Sequence, residues 1–281
     1  MIEKSEIQPQ LFIYESFGLE YKIIGKGKET IICFHGFGRN ADDFAIFQSL
    51  LGNHQRLVSV NLFAHGASQF PQERIEHQPL LPLEWKEVLE AFLAALTIES
   101  FHLLAYSMGG RIAMKTVELM PERVRSLLLL ASDGFKKNKL YQFASGTAMG
   151  RKIYHGVIEN PTTLFWWAKQ LNRFGILNNK LHRFVHVHLD THTKRQQVHD
   201  AWLIYRLFFS DLQYLADIIK KNEILFTMVF GKYDSVIRPR LGERFITKTG
   251  STGNLIIIDE GHRLLTKSLL DFLKEEKLWF D

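Results

Sequence analysis

The sequence predicts an α/β fold with a mostly parallel central sheet, helices on both faces and an inserted helical segment. Short apolar runs alternate with segments of helical periodicity along most of the 281 residues, which is typical of parallel strands joined by crossover helices. Several runs are continuously apolar, as expected of strands buried on both faces. Between residues 135 and 215 this alternation stops and only helical patterns remain. We therefore expect a core at residues 1–134 and 216–281 that carries an insertion at 135–215.

The individual elements follow from the same patterns, taken in chain order. Two runs rich in β-formers predict a hairpin around Phe17 and Gly18. Asn40 is placed to cap a helix, and Pro121 is placed to stop one. The predicted strands are Gln10–Ser16, Glu20–Ile24, Thr30–Phe34, Leu57–Leu62, Phe101–Ala105, Val124–Leu130, Ile224–Phe230 and Leu255–Ile258. The predicted helices are Ala41–Leu51, Glu84–Leu96, Met108–Leu119, Pro161–Phe174, Val198–Phe209, Arg240–Thr247 and Leu264–Leu278.

Composition excludes several classes of protein. Hydrophobic residues make up 46% and charged residues 23%, so wholesale disorder is ruled out. Cys33 is the single cysteine; it allows no intramolecular disulfide, and its apolar surroundings predict a buried core residue. The first residues lack the apolar centre of a signal peptide, and no apolar run is long enough to span a bilayer. We expect a cytoplasmic protein with no stable membrane insertion.

The formal net charge of +5 is distributed unevenly along the chain. Residues 1–134 carry 12 basic and 16 acidic side chains, and residues 200–281 carry 12 of each. Residues 135–199 carry 11 basic side chains against Glu159 and Asp190, a local net charge of +9. No nucleic-acid-binding module accompanies this charge, so no nucleic acid partner is expected. A solvated basic face and attraction of an anionic substrate or lipid surface both stay open.

The most informative segment is the run from Phe101 to Gly110, in which a predicted strand leads into Ser107 and a helix follows. A serine on so tight a turn projects its hydroxyl out of the sheet. Ala105 and Gly109 are small enough for the strand and the helix to approach each other closely. The N–H of Met108, at the start of the helix, is available to an anion.

This segment resembles the nucleophile elbow of α/β-hydrolases, G-x-S-x-G, with Ala105 in place of the first glycine. Asp234 follows a predicted strand in a turn similar to the family's acid-bearing turn, and His262 follows the last strand in a turn similar to its histidine-bearing turn. The resemblance covers about residues 12–131 and 218–278 and implies a Ser107, Asp234, His262 triad. Asp133 also follows a strand, and some family members place their acid there, so it stays an alternative acid.

Further consequences come from the same resemblance. The loop from His35 to Gly38 is similar to the family's oxyanion loop, which implies that the backbone N–H groups of Phe37 and Met108 bind the developing oxyanion. The segment from Asn61 to Ser68 is similar to another family motif and is interpreted as structural. The insertion at 135–215 is implied to be a lid over the nucleophile, with aromatic residues that pack its helices or line an acyl pocket.

The function implied is hydrolysis of a carboxylic ester or thioester through an acyl-enzyme, with a small-molecule acyl substrate and no cofactor. Ser107 attacks, His262 transfers the proton and Asp234 orients the imidazole. Cleavage of carbon–carbon bonds, lactones or amides and acyl transfer use the same groups. A non-hydrolytic lyase and a ligand receptor on the same scaffold are the alternatives from other classes. Transient lipid contact also stays open, and oligomeric state is not predicted.

A histidine-rich run in the insertion is considered as a possible metal site. His186, His188, Asp190 and His192 resemble the H-x-H-x-D-H run of metallo-hydrolases, with one residue inserted before the last histidine. Histidine and aspartate would suit zinc or iron. The run lies in the helical insertion rather than after a buried strand, which favours a solvated surface. We therefore predict no metal site here.

Overall fold

The computed structural model describes residues 8–137, 139–160 and 191–280. They divide into two compact units. The sheet unit comprises Met1–Phe70, Leu81–Lys136 and Phe208–Asp281, and the helical unit comprises Pro71–Leu80 and Lys137–Leu207. The predicted division at residues 135 and 215 stays a prediction about domain organisation. The predicted helix at 161–174 lies outside the described residues.

The sheet unit is built on eight strands, and the predicted mostly parallel sheet is confirmed. Their order across the sheet is β1-β2-β4-β3-β5-β6-β7-β8. Only β2 is antiparallel to its neighbours β1 and β4. The strands are β1 Gln10–Tyr14, β2 Phe17–Gly25, β3 Glu29–Phe34, β4 Gln55–Val60, β5 Phe101–Tyr106, β6 Val124–Leu130, β7 Leu225–Gly231 and β8 Asn254–Ile258.

The strand order positions a ligand site. From β3 the chain crosses to β4 on one side, whereas β5, on the other side of β3, continues outward to β6. Strand order therefore reverses between β3 and β5. Open α/β sheets bind ligands at such a point, beyond the carboxyl ends of the strands. The residues that follow Phe34 and Tyr106 lie there.

One local prediction needs correction. The hairpin forms, but its turn lies at Glu15 and Ser16 rather than at Phe17, because the Phe17 ring is buried, with its centroid 5.7 Å from that of Phe63. The helix predicted after Asn40 is present, and it is a 3₁₀ helix, Ala41–Leu50. Its buried residues are Ala41, Phe44 and Phe47, a spacing of three that matches the 3₁₀ period.

The sequence predicts four of the five α-helices described in the sheet unit, but not the helix Leu212–Lys221. The buried face of α1 includes Trp85, whose indole N–H donates to the Thr116 hydroxyl of α2 at 2.9 Å. Cys33 is fully buried on β3, as predicted, and burial raises the pKa of its thiol. These helices are α1 Pro82–Ala95, α2 Met108–Leu119, α6 Leu212–Lys221, α7 Arg240–Thr249 and α8 Lys267–Glu275.

Three helices of the helical unit are described: α3 Lys139–Gly146, α4 Ala148–Glu159 and α5 His192–Ile204. They share a small aromatic core, in which the Tyr141 and Trp202 rings lie 5.1 Å apart. The predicted helix at Val198–Phe209 begins earlier, at His192, because Thr191 caps it by accepting the Lys194 N–H. Across the described ranges, no helix combines the length and apolar character needed to cross a membrane.

Candidate active site

Ser107 occupies a sharp turn between β5 and α2. Its φ of 51° and ψ of −117° lie in a region that non-glycine residues avoid at a cost of about 1–3 kcal/mol. The turn is tightly packed, since a Cβ added at Gly109 would lie 2.1 Å from the Phe34 carbonyl oxygen. One added at Gly110 would lie 1.7 Å from the Ser132 hydroxyl oxygen. Both glycines are therefore required by close approach, and the strained serine is held by its surroundings.

Three side chains meet at the carboxyl end of the sheet. Ser107 Oγ lies 3.1 Å from His262 Nε2, and His262 Nδ1 lies 2.7 Å from Asp234 Oδ2. Asp234 is buried, whereas 23% of the His262 side chain is exposed. Because a carboxylate only accepts, this arrangement assigns the Nδ1 proton to the bond with Asp234 and leaves Nε2 to accept from the serine.

The acid and the histidine are held by contacts between their loops. Lys232 N–H donates to Ile258 O at 2.8 Å, and Tyr233 N–H donates to Glu260 O at 2.9 Å. Asp234 Oδ1 accepts the N–H groups of Val236 and Ile237 at 2.7 and 2.8 Å. One carboxylate oxygen is thus taken by backbone donors, and the other faces His262.

Asp133, the alternative acid, has different partners. Its Oδ1 accepts the Gly134 N–H at 2.8 Å, and its Oδ2 lies 3.8 Å from Arg111 Nε. Its own N–H donates to Ser107 O at 2.9 Å. The geometry pairs His262 with Asp234, and Asp133 contributes to the backbone around the serine.

The predicted oxyanion loop lies against the serine turn. A Cβ at Gly36 would lie 3.1 Å from Ser107 Cβ and 3.0 Å from the Tyr106 ring, a crowded contact that glycine avoids. Phe37 follows in this loop. Met108 begins α2, where N–H groups have no acceptor within the helix.

Two buried histidines support this loop. His65 Nε2 accepts the Gly38 N–H at 3.1 Å, and His35 Nε2 accepts the Leu62 N–H at 3.0 Å. Burial lowers the pKa of His65 to about 4. Burial, together with the neighbouring His65, holds the pKa of His35 well below its usual value. Both rings are neutral acceptors near pH 7. The segment from Asn61 to Ser68 thus has the structural contacts expected of it.

Tyr106 was not identified from the sequence as part of the site. Its hydroxyl donates to the His262 carbonyl oxygen at 3.0 Å, and the two rings lie 5.6 Å apart. Burial raises the pKa of Tyr106 to about 12, so the hydroxyl remains a donor. Tyr106 directly precedes Ser107 in sequence, but the pattern alone gave no indication of a contact with a residue 156 positions away.

Comparison with known proteins identifies the family to which the chain belongs. A family model described as the alpha/beta hydrolase fold matches residues 29–202, more than half of the chain. The chain belongs to the α/β-hydrolase family. This α/β-hydrolase is 24% identical to an uncharacterised hydrolase of Bacillus subtilis (strain 168), over 88% of the chain and 91% of that protein.

Other similarities are partial or distant. The chain is 28% identical to an acetyltransferase component of the acetoin-cleaving system of Pseudomonas putida, over 51% of the chain but only 36% of that protein. A thermophilic esterase from Thermogutta terrifontis has a similar fold, with a TM-score of 0.66 and 15% identity, covering 96% of this chain and 98% of that one. The solved structure and the chain share this fold.

Two sequence hypotheses fall largely outside the described residues. His186, His188 and Asp190 of the histidine-rich run lie outside the described residues. The described member is His192, whose Nε2 lies 3.6 Å from Glu159 Oε1. The aromatic residues Phe165, Trp166, Trp167 and Phe174 also lie outside the described residues. The lid interpretation of residues 135–215 therefore stays a prediction.

Proposed function

We propose that this α/β-hydrolase cleaves a carboxylic ester or thioester of a small-molecule acyl substrate through a covalent acyl-enzyme. The observation that carries the proposal is the continuous chain of contacts from Ser107 Oγ through His262 to Asp234, at 3.1 and 2.7 Å. A serine hydroxyl is a poor nucleophile without an adjacent base, and this arrangement supplies one.

The reaction follows from the roles of the three groups. Ser107 Oγ attacks the carbonyl carbon while His262 Nε2 accepts its proton. Asp234 holds the ring and stabilises the imidazolium that forms. The N–H groups of Phe37 and Met108 stabilise the tetrahedral oxyanion, and each such donor contributes roughly 3 kcal/mol in comparable sites. His262 then protonates the leaving group, and water attacks the acyl-enzyme by the reverse sequence.

A fluorophosphonate probe tests the nucleophile directly. We expect the folded protein to be labelled at Ser107, and Ser107→Ala to abolish both the labelling and the hydrolysis of a p-nitrophenyl ester. Turnover by the Ser107→Ala variant equal to that of the wild type would exclude the mechanism. Labelling without turnover on any ester or thioester would favour the receptor, and turnover without a trapped covalent intermediate would favour the lyase.

The substrate class requires a panel of compounds. We propose p-nitrophenyl esters and acyl-CoA thioesters of increasing chain length, compared by kcat/KM. A preference for one acyl length in both series would identify the acyl group as the recognised part. A preference that follows the leaving group would assign recognition to the other half of the molecule.

A further inference from the structure

We propose that the helical unit contains a site for a divalent transition-metal ion, with zinc the best match, formed by Glu76, His155 and His199. The three residues come from the segment Pro71–Leu80, from α4 and from α5, all within one unit. One ligand atom from each lies within 4.8 Å of the other two.

The contacts of His199 place its ring proton on Nδ1. Its Nδ1 lies 2.9 Å from Asp200 Oδ1, and because the carboxylate only accepts, the ring proton belongs on Nδ1. Nε2 of the neutral ring then presents a lone pair. Asp200 Oδ1 also accepts the Gln196 amide at 2.7 Å. A metal-bound histidine commonly has such a carboxylate behind it, which orients the ring and raises its basicity.

The other ring nitrogen of His199, Nε2, is buried opposite a carboxylate oxygen. His199 is 1% exposed, and its Nε2 lies 3.0 Å from Glu76 Oε1. Despite that distance the contact lacks hydrogen-bond alignment, and Nε2 has no hydrogen-bond partner in the described part of the chain. With the single ring proton on Nδ1, Nε2 and the carboxylate oxygen are both acceptors, and a buried polar atom without a partner is costly. A cation between them removes both problems.

The types of ligand atom and the distances between them match those of a zinc site. His155 Nδ1 lies 3.7 Å from Glu76 Oε1. Two ligand atoms, each about 2.0 Å from a tetrahedral zinc ion, lie about 3.3 Å apart, between the two separations observed here. Two imidazole nitrogens and one carboxylate oxygen form a common zinc set with room for a water molecule. The His155 side chain is 57% exposed, which provides an entry path for the ion.

The backbone on both sides of Glu76 is held in place independently of any ion. Arg206, just after α5, donates to Ile75 O and His77 O at 3.4 and 3.2 Å. Leu80 N–H donates to Ile204 O at 3.1 Å. Glu76 is therefore presented to α4 and α5 by a fixed segment. A metal ion would fasten this segment to the two helices and would stabilise the folded helical unit.

The test uses the full chain, purified without an affinity tag and stripped with a chelator. We expect Zn²⁺ to bind in isothermal titration calorimetry and to raise the Tm, and Co²⁺ to give visible absorption bands of a nitrogen- and oxygen-ligated site. Glu76→Gln and His155→Ala should weaken Zn²⁺ binding at least about tenfold and remove the Co²⁺ bands, while the Tm without metal stays close to that of the wild type. Asp200→Asn should weaken binding about 10- to 100-fold.

His77→Ala is the matched control, because His77 is exposed and directly follows Glu76. This variant should bind Zn²⁺ as the wild type does. If the stripped protein takes up no Zn²⁺, or if Glu76→Gln and His155→Ala both bind it as the wild type does, the ion is not held here and the proposal is overturned. Ester hydrolysis measured on the same samples reports separately on the triad.

Discussion

His262 and His199 have the same chemical support but face different atoms. In each residue Nδ1 lies against an aspartate oxygen, at 2.7 Å for Asp234 and at 2.9 Å for Asp200. Nε2 of His262 faces the Ser107 hydroxyl at 3.1 Å, whereas Nε2 of His199 faces a Glu76 carboxylate oxygen at 3.0 Å. A hydroxyl has a proton to give, and a carboxylate has none. In the two proposals, the atom opposite Nε2 decides whether the imidazole acts as a base or as a ligand.

The surroundings of the two histidines reinforce this difference. His262 lies on a loop after β8 with 23% of its side chain exposed, so that it can reach a substrate. His199 is 1% exposed within α5, where the helix holds the ring in one orientation. A general base must pass its proton to a reacting group, but a structural ligand gains from a fixed position.

The largest expected effect separates the two histidines by activity. His262→Ala should lower kcat for a p-nitrophenyl ester by about 10⁴- to 10⁶-fold, because the serine loses its base. His199→Gln should leave kcat within a fewfold of the wild type, because no step of the proposed reaction passes through it. Steady-state kinetics on variants whose folding is checked by circular dichroism measures both. Equal losses in the two variants would remove the functional distinction between these histidines.

The next effect separates the two candidate acids. Asp234→Asn should lower kcat by about 10⁴-fold, because an asparagine opposite Nδ1 favours the wrong tautomer of His262. Asp133→Asn should change kcat much less, since its contacts are with Gly134 and Arg111. The same ester assay gives both values. A severe loss in Asp133→Asn with near-normal Asp234→Asn would reassign the acid.

The buried environment of His65 predicts that the stability of the folded state decreases in acid. His65 Nε2 faces a backbone N–H, and burial lowers its pKa to about 4 from an ordinary value of 6.5. The unfolded chain therefore binds this proton at a higher pH than the folded one. The stability that depends on neutral His65 is complete above about pH 6.5 and is lost as the pH falls towards 4, by roughly 3 kcal/mol.

Urea unfolding between pH 4 and 7 measures this loss. His65→Gln should be less stable than the wild type at pH 7 but should show a shallower decline in the free energy of unfolding towards acid. His77→Ala, which alters an exposed histidine, should keep the wild-type slope. An unchanged slope in His65→Gln would mean that another group carries the acid sensitivity.

The smallest expected effect concerns the basic segment. Residues 135–199 carry a net charge of +9, and if they attract substrate, salt should screen that attraction. Then kcat/KM for an anionic ester should fall a fewfold between 20 and about 300 mM ionic strength, while a neutral ester of the same acyl group stays nearly constant. Equal salt dependence for the two esters would leave the charge as a solvated face.

The sequence pointed to three side chains that the structure brings together, because each is tied to a local pattern. Ser107, Asp234 and His262 each follow a strand in a turn of recognisable composition, and parallel strands bring their carboxyl ends to one edge. The sequence left Asp133 open as an alternative to Asp234. Both follow strands, and their partners depend on how the later loops fold against one another, which residue types do not reveal.

Other features were out of reach of pattern analysis. The sequence predicted a helix after Asn40 but not its 3₁₀ form, because the apolar residues fit both helical periods over so short a stretch. The contact of Tyr106 with His262 and the support of the oxyanion loop by His65 join distant segments. No local periodicity records such contacts.

The amino-acid sequence by itself determined the α/β architecture and which strands are followed by turns that carry polar residues. It also determined the chemistry that those turns can support. All of these depend on local propensity and on short motifs. Only the tertiary structure decided which atoms face each other. Glu76, His155 and His199 have no motif spacing, and they meet only because α4, α5 and a preceding segment pack together. Long-range packing sets what a histidine nitrogen meets, and that contact determines its chemistry.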